Sequence, residues 1–227
     1  MNEFKTDEAA ELQEGPAASP RWTGAPSIEL AHRLNAQCVE IACELAVSPH
    51  RTLPAFILQN RDLWRLLEPE ARERVAAFPF VIVDIRFQDT QWWREIIEKL
   101  AMNPADLALS GRIEPKLLED LMLETLLFAR QSAREDVVVA KAMFALTSPA
   151  ASLIAALSLQ QVRAIALRHT EQLRVRWEED PEFWRDLLIA CRADDEEDLA
   201  AIRRQGKLLF CGELVPSPQS ARPDDRQ

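Results

Sequence analysis

Apolar residues at Ile28, Ala31, Leu34, Cys38, Ile41, Ala42 and Leu45 recur with the 3.6-residue period of an α-helix, which predicts a helix over 29–47. Ser27 is the expected N-cap, with Glu29 in the first turn, and Ser48-Pro49 is the expected stop. A short segment, Leu53 to Leu58, precedes another around Trp64, Arg61 to Leu67. A helix over 68–77 follows, with Pro69 well placed in its first turn and Pro79 ending it. Phe80 to Phe87 is β-branched and partly alternating, the pattern of a short extended segment. Asp89 or Thr90 then caps a helix carrying Trp92, Trp93, Ile96, Ile97 and Leu100, which Asn103-Pro104 breaks. Asp106-Leu107-Ala108 begins a short helical piece, and Ser110-Gly111 with Pro115 marks a boundary.

Beyond it, apolar positions at Leu117, Leu121, Leu123, Leu127, Val137, Val138 and Met143 predict one long helix, Lys116 to Leu146, ending at Ser148-Pro149. Leu173, Val175 and Trp177 alternate with Arg174 and Arg176 as a second strand-like segment. Asp194, Asp195, Glu196 and Glu197 form the acidic opening of a last helix that Arg203, Arg204 and Lys207 close, a charge order that complements the helix macrodipole. Residues 1–26, with prolines at 16, 20 and 26, and residues 215–227 read as polar disordered tails. Trp22 is the tail's exception and a candidate for docking on a neighbouring surface.

The pattern repeats. Ile85-Arg86-Phe87-Gln88-Asp89 through Trp92-Trp93-Arg94-Glu95 pairs with Val175-Arg176-Trp177 through Asp180 and Phe183-Trp184-Arg185-Asp186, given one inserted residue after Gln88. Arg86 answers Arg176, Asp89 answers Asp180, and Trp93-Arg94 answers Trp184-Arg185. Leu63 to Leu67 matches Leu153 to Leu157, and Ala71 to Ala77 matches Gln161 to Leu167. Equating Ser48-Pro49 with Ser148-Pro149 gives an offset of 100 (148 − 48), against 90 for the later matches, and so about ten extra residues in the first copy. The expectation is a mainly α chain of two similar halves, 27–112 and 113–214, each with a short extended segment, packed as an intramolecular pseudo-dimer.

Composition narrows the function. The 227 residues are 48% hydrophobic and 28% charged, with only five glycines, as in an ordinary helical globular chain. The formal charge of −10 argues against free-standing nucleic-acid binding, which needs a clustered basic surface, but not against a DNA role inside a complex. With no apolar run approaching 18 residues and no charged-then-apolar leader, a cytoplasmic location without membrane contact is expected. Cys38, Cys43, Cys191 and Cys211 form no C-x-x-C pair and suit a reducing compartment.

No catalytic residue, metal site or cofactor is nominated. His32, His50 and His169 have no ligand spacing to one another or to the cysteines, and no phosphate loop, dinucleotide fingerprint or nucleophile elbow occurs. Trp92, Trp93, Phe183 and Trp184 read either as core anchors or as a partner-binding hot spot, because adjacent Trp92 and Trp93 cannot both point inward on one helix. Arg174 and Arg176, with Arg168 and His169 beside them, form the most basic cluster. They read as solvated strand residues or as a contact to DNA or to an acidic partner. Arg203, Arg204 and Lys207 read as solvated helix residues or as an anion-facing patch.

Several stretches carry a family resemblance. Leu30-Ala31-His32-Arg33-Leu34-Asn35-Ala36-Gln37, Ala140-Lys141-Ala142-Met143-Phe144-Ala145-Leu146, and Ala155-Ala156-Leu157-Ser158-Leu159-Gln160-Gln161-Val162 occur in that order. Leu173-Arg174-Val175-Arg176-Trp177 and Asp198-Leu199-Ala200-Ala201-Ile202, followed by Gly206, complete the set. Together they resemble the D subunit of the flagellar master transcriptional activator (FlhD). The resemblance implies a helical, dimerising subunit that joins a zinc-containing C-type partner and activates flagellar genes. That family usually has one copy per chain, and the first copy here lacks the A-A-L-T-L stretch. The expected function is a non-enzymatic transcriptional regulator acting by protein contact, with DNA reached only through the complex and further self-association left open. The alternative is a helical adaptor or chaperone-like protein of a secretion or virulence system, since fold does not fix function.

Overall fold

Ala31, Leu34, Cys38, Val39, Ala42 and Ala46 bury one stripe of α1, Ala25–Val47, and the stripe decides where everything else packs. The computed structural model describes residues 25–49, 53–102 and 116–213. α1 is followed by α2, Ala55–Gln59, α3, Arg61–Arg65, and α4, Pro69–Ala76. The strand β1, Val83–Asp84, leads into α5, Thr90–Met102. Then come α6, Lys116–Glu135, α7, Val137–Phe144, α8, Ser148–Ala156, and α9, Leu159–Arg168. A 3-10 turn, Thr170–Gln172, the strand β2, Arg174–Val175, α10, Pro181–Ala193, and α11, Glu196–Glu213, complete the described order. The fold is mainly α.

α3 and α4 lie on α1, and α7, α8 and α9 lie on α6, while α1 and α6 touch each other. The helices after the strands cross over. α10 packs on α2, α3 and α4, and α5 packs on α8. Trp184 enters an aromatic cluster with Phe56 and Trp64, with ring centroids 5.2 and 5.7 Å away, and Asn60 Nδ2 donates to the Pro181 carbonyl at 2.8 Å. On the other side the Thr90 and Thr147 hydroxyls meet at 3.0 Å. β1 and β2 pair antiparallel, Val83 with Val175 and Asp84 with Arg174.

Asn35 fixes the strand's entry. Its Nδ2 donates to the Ala76 and Phe80 carbonyls at 3.1 and 2.9 Å, and its Oδ1 accepts the Ile82 N–H at 2.9 Å. Each unpaired backbone group in so dry a place costs about 1–3 kcal/mol, so one buried amide here organises a whole corner.

The strands are followed by like turns. Arg86 and Trp177 are left-handed, at φ 48° and 59°, and each carbonyl accepts the N–H of an aspartate three residues on at 2.9 Å. Those aspartates cap the next helix: Asp89 Oδ1 accepts from Trp92 N–H at 2.9 Å and Asp180 Oδ1 from Phe183 N–H at 3.1 Å. α5 and α10 are both 13 residues long and bury Trp93 and Trp184 at the same place. The turns therefore set Arg86 opposite Trp177 and the buried Ile85 opposite Arg176. The indole bonds of Trp93 to the Arg86 carbonyl and of Trp184 to the Arg176 carbonyl keep instead the expected match of Arg86 with Arg176, so the two features place the inserted residue on different sides of the turn.

Other expectations change. α1 begins at Ala25, so Ser27 lies inside the helix, and Pro26 belongs to the first turn, where a missing N–H costs nothing. Only two residues of 80–87 join the ladder. The long helix expected over 116–146 is two helices, because the Asp136 side chain accepts from the Val138 and Val139 N–H groups and starts α7 afresh. Ser148-Pro149 opens α8 beneath the Thr147 cap, whereas Ser48 follows α1, so the two dipeptides are not equivalent. Buried Ala31, Asn35, Cys38, Val39 and Ala42 recur as buried Leu121, Thr125, Phe128, Ala129 and Ser132, an offset of 90 (121 − 31) that leaves no ten-residue insertion. The proposed tails apart from Ala25 and Pro26, Trp22, His50, the 106–108 piece and the Ser110-Gly111 boundary lie outside the described residues.

Candidate interaction surface

The two strands and their turns bring distant residues into one open cleft of about 600 Å³, lined by Asp84, Arg86, Asp89, Arg174, Glu178 and Glu213 among others. Its arginines are matched to carboxylates. Arg86 meets Asp89 at 3.1 Å, and Arg174 meets Glu178 at 2.8 Å. Both pairs are partly or largely exposed and contribute little, about 0–1 kcal/mol each.

Arg176 is different. It is 4% exposed, and its Nε donates to the Val81 carbonyl at 2.9 Å and its Nη2 to the Phe144 carbonyl at 2.6 Å. Nη1 pairs with Glu213, Asp84 lies 3.7 Å away, and the guanidinium sits 5.0 Å from the centre of the Phe210 ring. As placed, Arg176, a candidate DNA contact in the sequence, spends its guanidinium on its own chain and leaves no face for a phosphate. Burial raises the Glu213 carboxyl's pKa above its ordinary value; Arg176 pulls against it and Asp84 adds to it.

The other basic candidates do not join the cleft. Arg203 turns inward from α11 and donates to the Arg74 carbonyl at 3.0 Å. Arg204 and Lys207 are exposed, but they lie in the middle of α11, which runs on to Glu213 rather than closing at Lys207. Their charge therefore cannot offset the helix's C-terminal dipole as expected. The N-cap of α11 is Asp195, whose Oδ1 accepts from Glu197 and Asp198 N–H at 3.0 and 3.1 Å. Asp194 instead ends α10 in a left-handed conformation.

Three of the four aromatic candidates are core. Trp93 and Trp184 are fully buried and Phe183 is 3% exposed, so as placed they offer nothing to a partner. Their indole N–H groups donate to the Arg86 and Arg176 carbonyls at 3.1 and 3.2 Å. Trp92 is the outward member of its pair. It is half-buried, edge-on to His169 at 6.0 Å, with the Arg86 guanidinium 5.9 Å from its ring. His169 in turn meets Glu171 at 3.2 Å.

Sequence reasoning missed Asn35, Asn60 and Glu213. Asn35 had left a signal, a polar residue inside the apolar stripe of α1; Glu213 left none. Among the described residues no group of His, Cys, Asp or Glu could hold a metal ion, and no single helix is long and apolar enough to cross a membrane. Fold and site together define a mainly α chain whose strand-linked helices cross over beside a polar cleft. No family model, curated protein or solved structure matches the chain.

Proposed function

We propose that the chain is a non-enzymatic transcriptional regulator resembling the D subunit of the flagellar activator, built as an intramolecular pseudo-dimer of two like halves and acting through protein contact. The reciprocal exchange of elements carries this reading: β1 pairs antiparallel with β2, α5 lies against α8, and α10 lies against α2 to α4. Like strands paired antiparallel and like helices exchanged in both directions are what a twofold axis between two equal units produces. The matching left-handed turns, aspartate caps and 13-residue helices support it.

One polypeptide would then supply the pair that a single-copy subunit assembles from two. Its proposed partner is a C-type flagellar activator subunit, its proposed compartment the cytoplasm, and DNA is reached through that partner. A net charge of −10 and the inward commitment of Arg176 and Arg203 favour an assisted route to DNA over a direct one. A pull-down of a purified C-type subunit on the immobilised full chain tests the reading. Retention at micromolar concentration is expected, and no retention overturns it. A band-shift with and without that subunit then separates assisted from direct DNA binding.

A further inference from the structure

No further inference is drawn: the strongest candidate, the surface patch that α5 turns outward around half-buried Trp92, with the Arg86 guanidinium 5.9 Å from its ring and His169 edge-on to it, carries nothing because Asp89 and Glu171 of the same chain already match its cations and nothing in the structure shows what covers it.

Discussion

Replacing Arg176 with alanine removes a side chain that is 2% exposed and serves four acceptors at once. The Val81 and Phe144 carbonyls lose their donor, and the Glu213 and Asp84 carboxylates, each 27% exposed, lose their counter-charge. An unsatisfied buried carbonyl costs about 1–3 kcal/mol. Breaking a buried ion pair by removing one partner costs about 3–5 kcal/mol. These losses overlap, so the total expected is about 3–5 kcal/mol. At about 2–4 °C per kcal/mol for a chain of this size, the melting temperature falls by about 6–20 °C. Urea denaturation followed by circular dichroism is the assay, with an unchanged slope required to read the midpoint as stability. R176K falls in between, because one ammonium cannot donate along the three directions a guanidinium covers. R174A is the control: its partner Glu178 sits at the surface, and the change stays within about 0.5 kcal/mol. An R176A chain as stable as R174A would refute the buried role and restore the solvated strand arginine that the sequence alone suggested.

Three further outcomes follow from packing and charge. G206A gains about 1 kcal/mol of helix propensity, yet its Cβ lands 2.9 Å from the buried Phe78 ring, and overpacking costs about 1–3 kcal/mol. The urea midpoint falls, and a rise would show the rings yield freely. Burial pushes the Cys38 thiol up to about 12 and those of Cys43 and Cys191 up to about 11, whereas Cys211 is exposed. Iodoacetamide at pH 8 therefore adds one equivalent to the native chain and four to the denatured one by intact mass, and rapid uptake of a second native equivalent contradicts the packing. Burial holds the Glu213 carboxyl above its ordinary value, so its contribution is full below that value and is lost as pH rises through the raised one. The stability of wild type minus that of E213Q accordingly grows between pH 7 and about 4.5, and a difference that shrinks on acidification reverses the sign.

What could be read from the chain was local. The cap of α5, read as Asp89 or Thr90, and the tryptophans of α5 and α10 were legible because a cap and an anchor act within one turn of backbone. The break at Asp136 was hidden, since apolar spacing continues through it and only the aspartate's choice of backbone N–H groups separates α6 from α7. Ser48-Pro49 and Ser148-Pro149 misled because proline suits both the residue after a helix and its first turn. Gly206 carried no packing signal in the sequence, yet three rings there leave no room for a Cβ. Arg176 was illegible in principle. Whether a strand arginine meets water or carbonyls depends on what Val81, Phe144 and Glu213 do, and these lie 95, 32 and 37 residues away.

The crossing of α10 onto α2, α3 and α4 constrains how the chain emerges from the ribosome. Phe56, Trp64 and the Asn60 amide wait for Trp184 and Pro181 to be synthesised. At about 5–20 residues per second that delay lasts roughly 6–25 s. For that interval the nascent N-terminal portion shows an unfinished aromatic surface, a natural target for a holding chaperone. A translational pause before Pro181 would lengthen the exposure and raise the risk of misassembly between neighbouring polysome products.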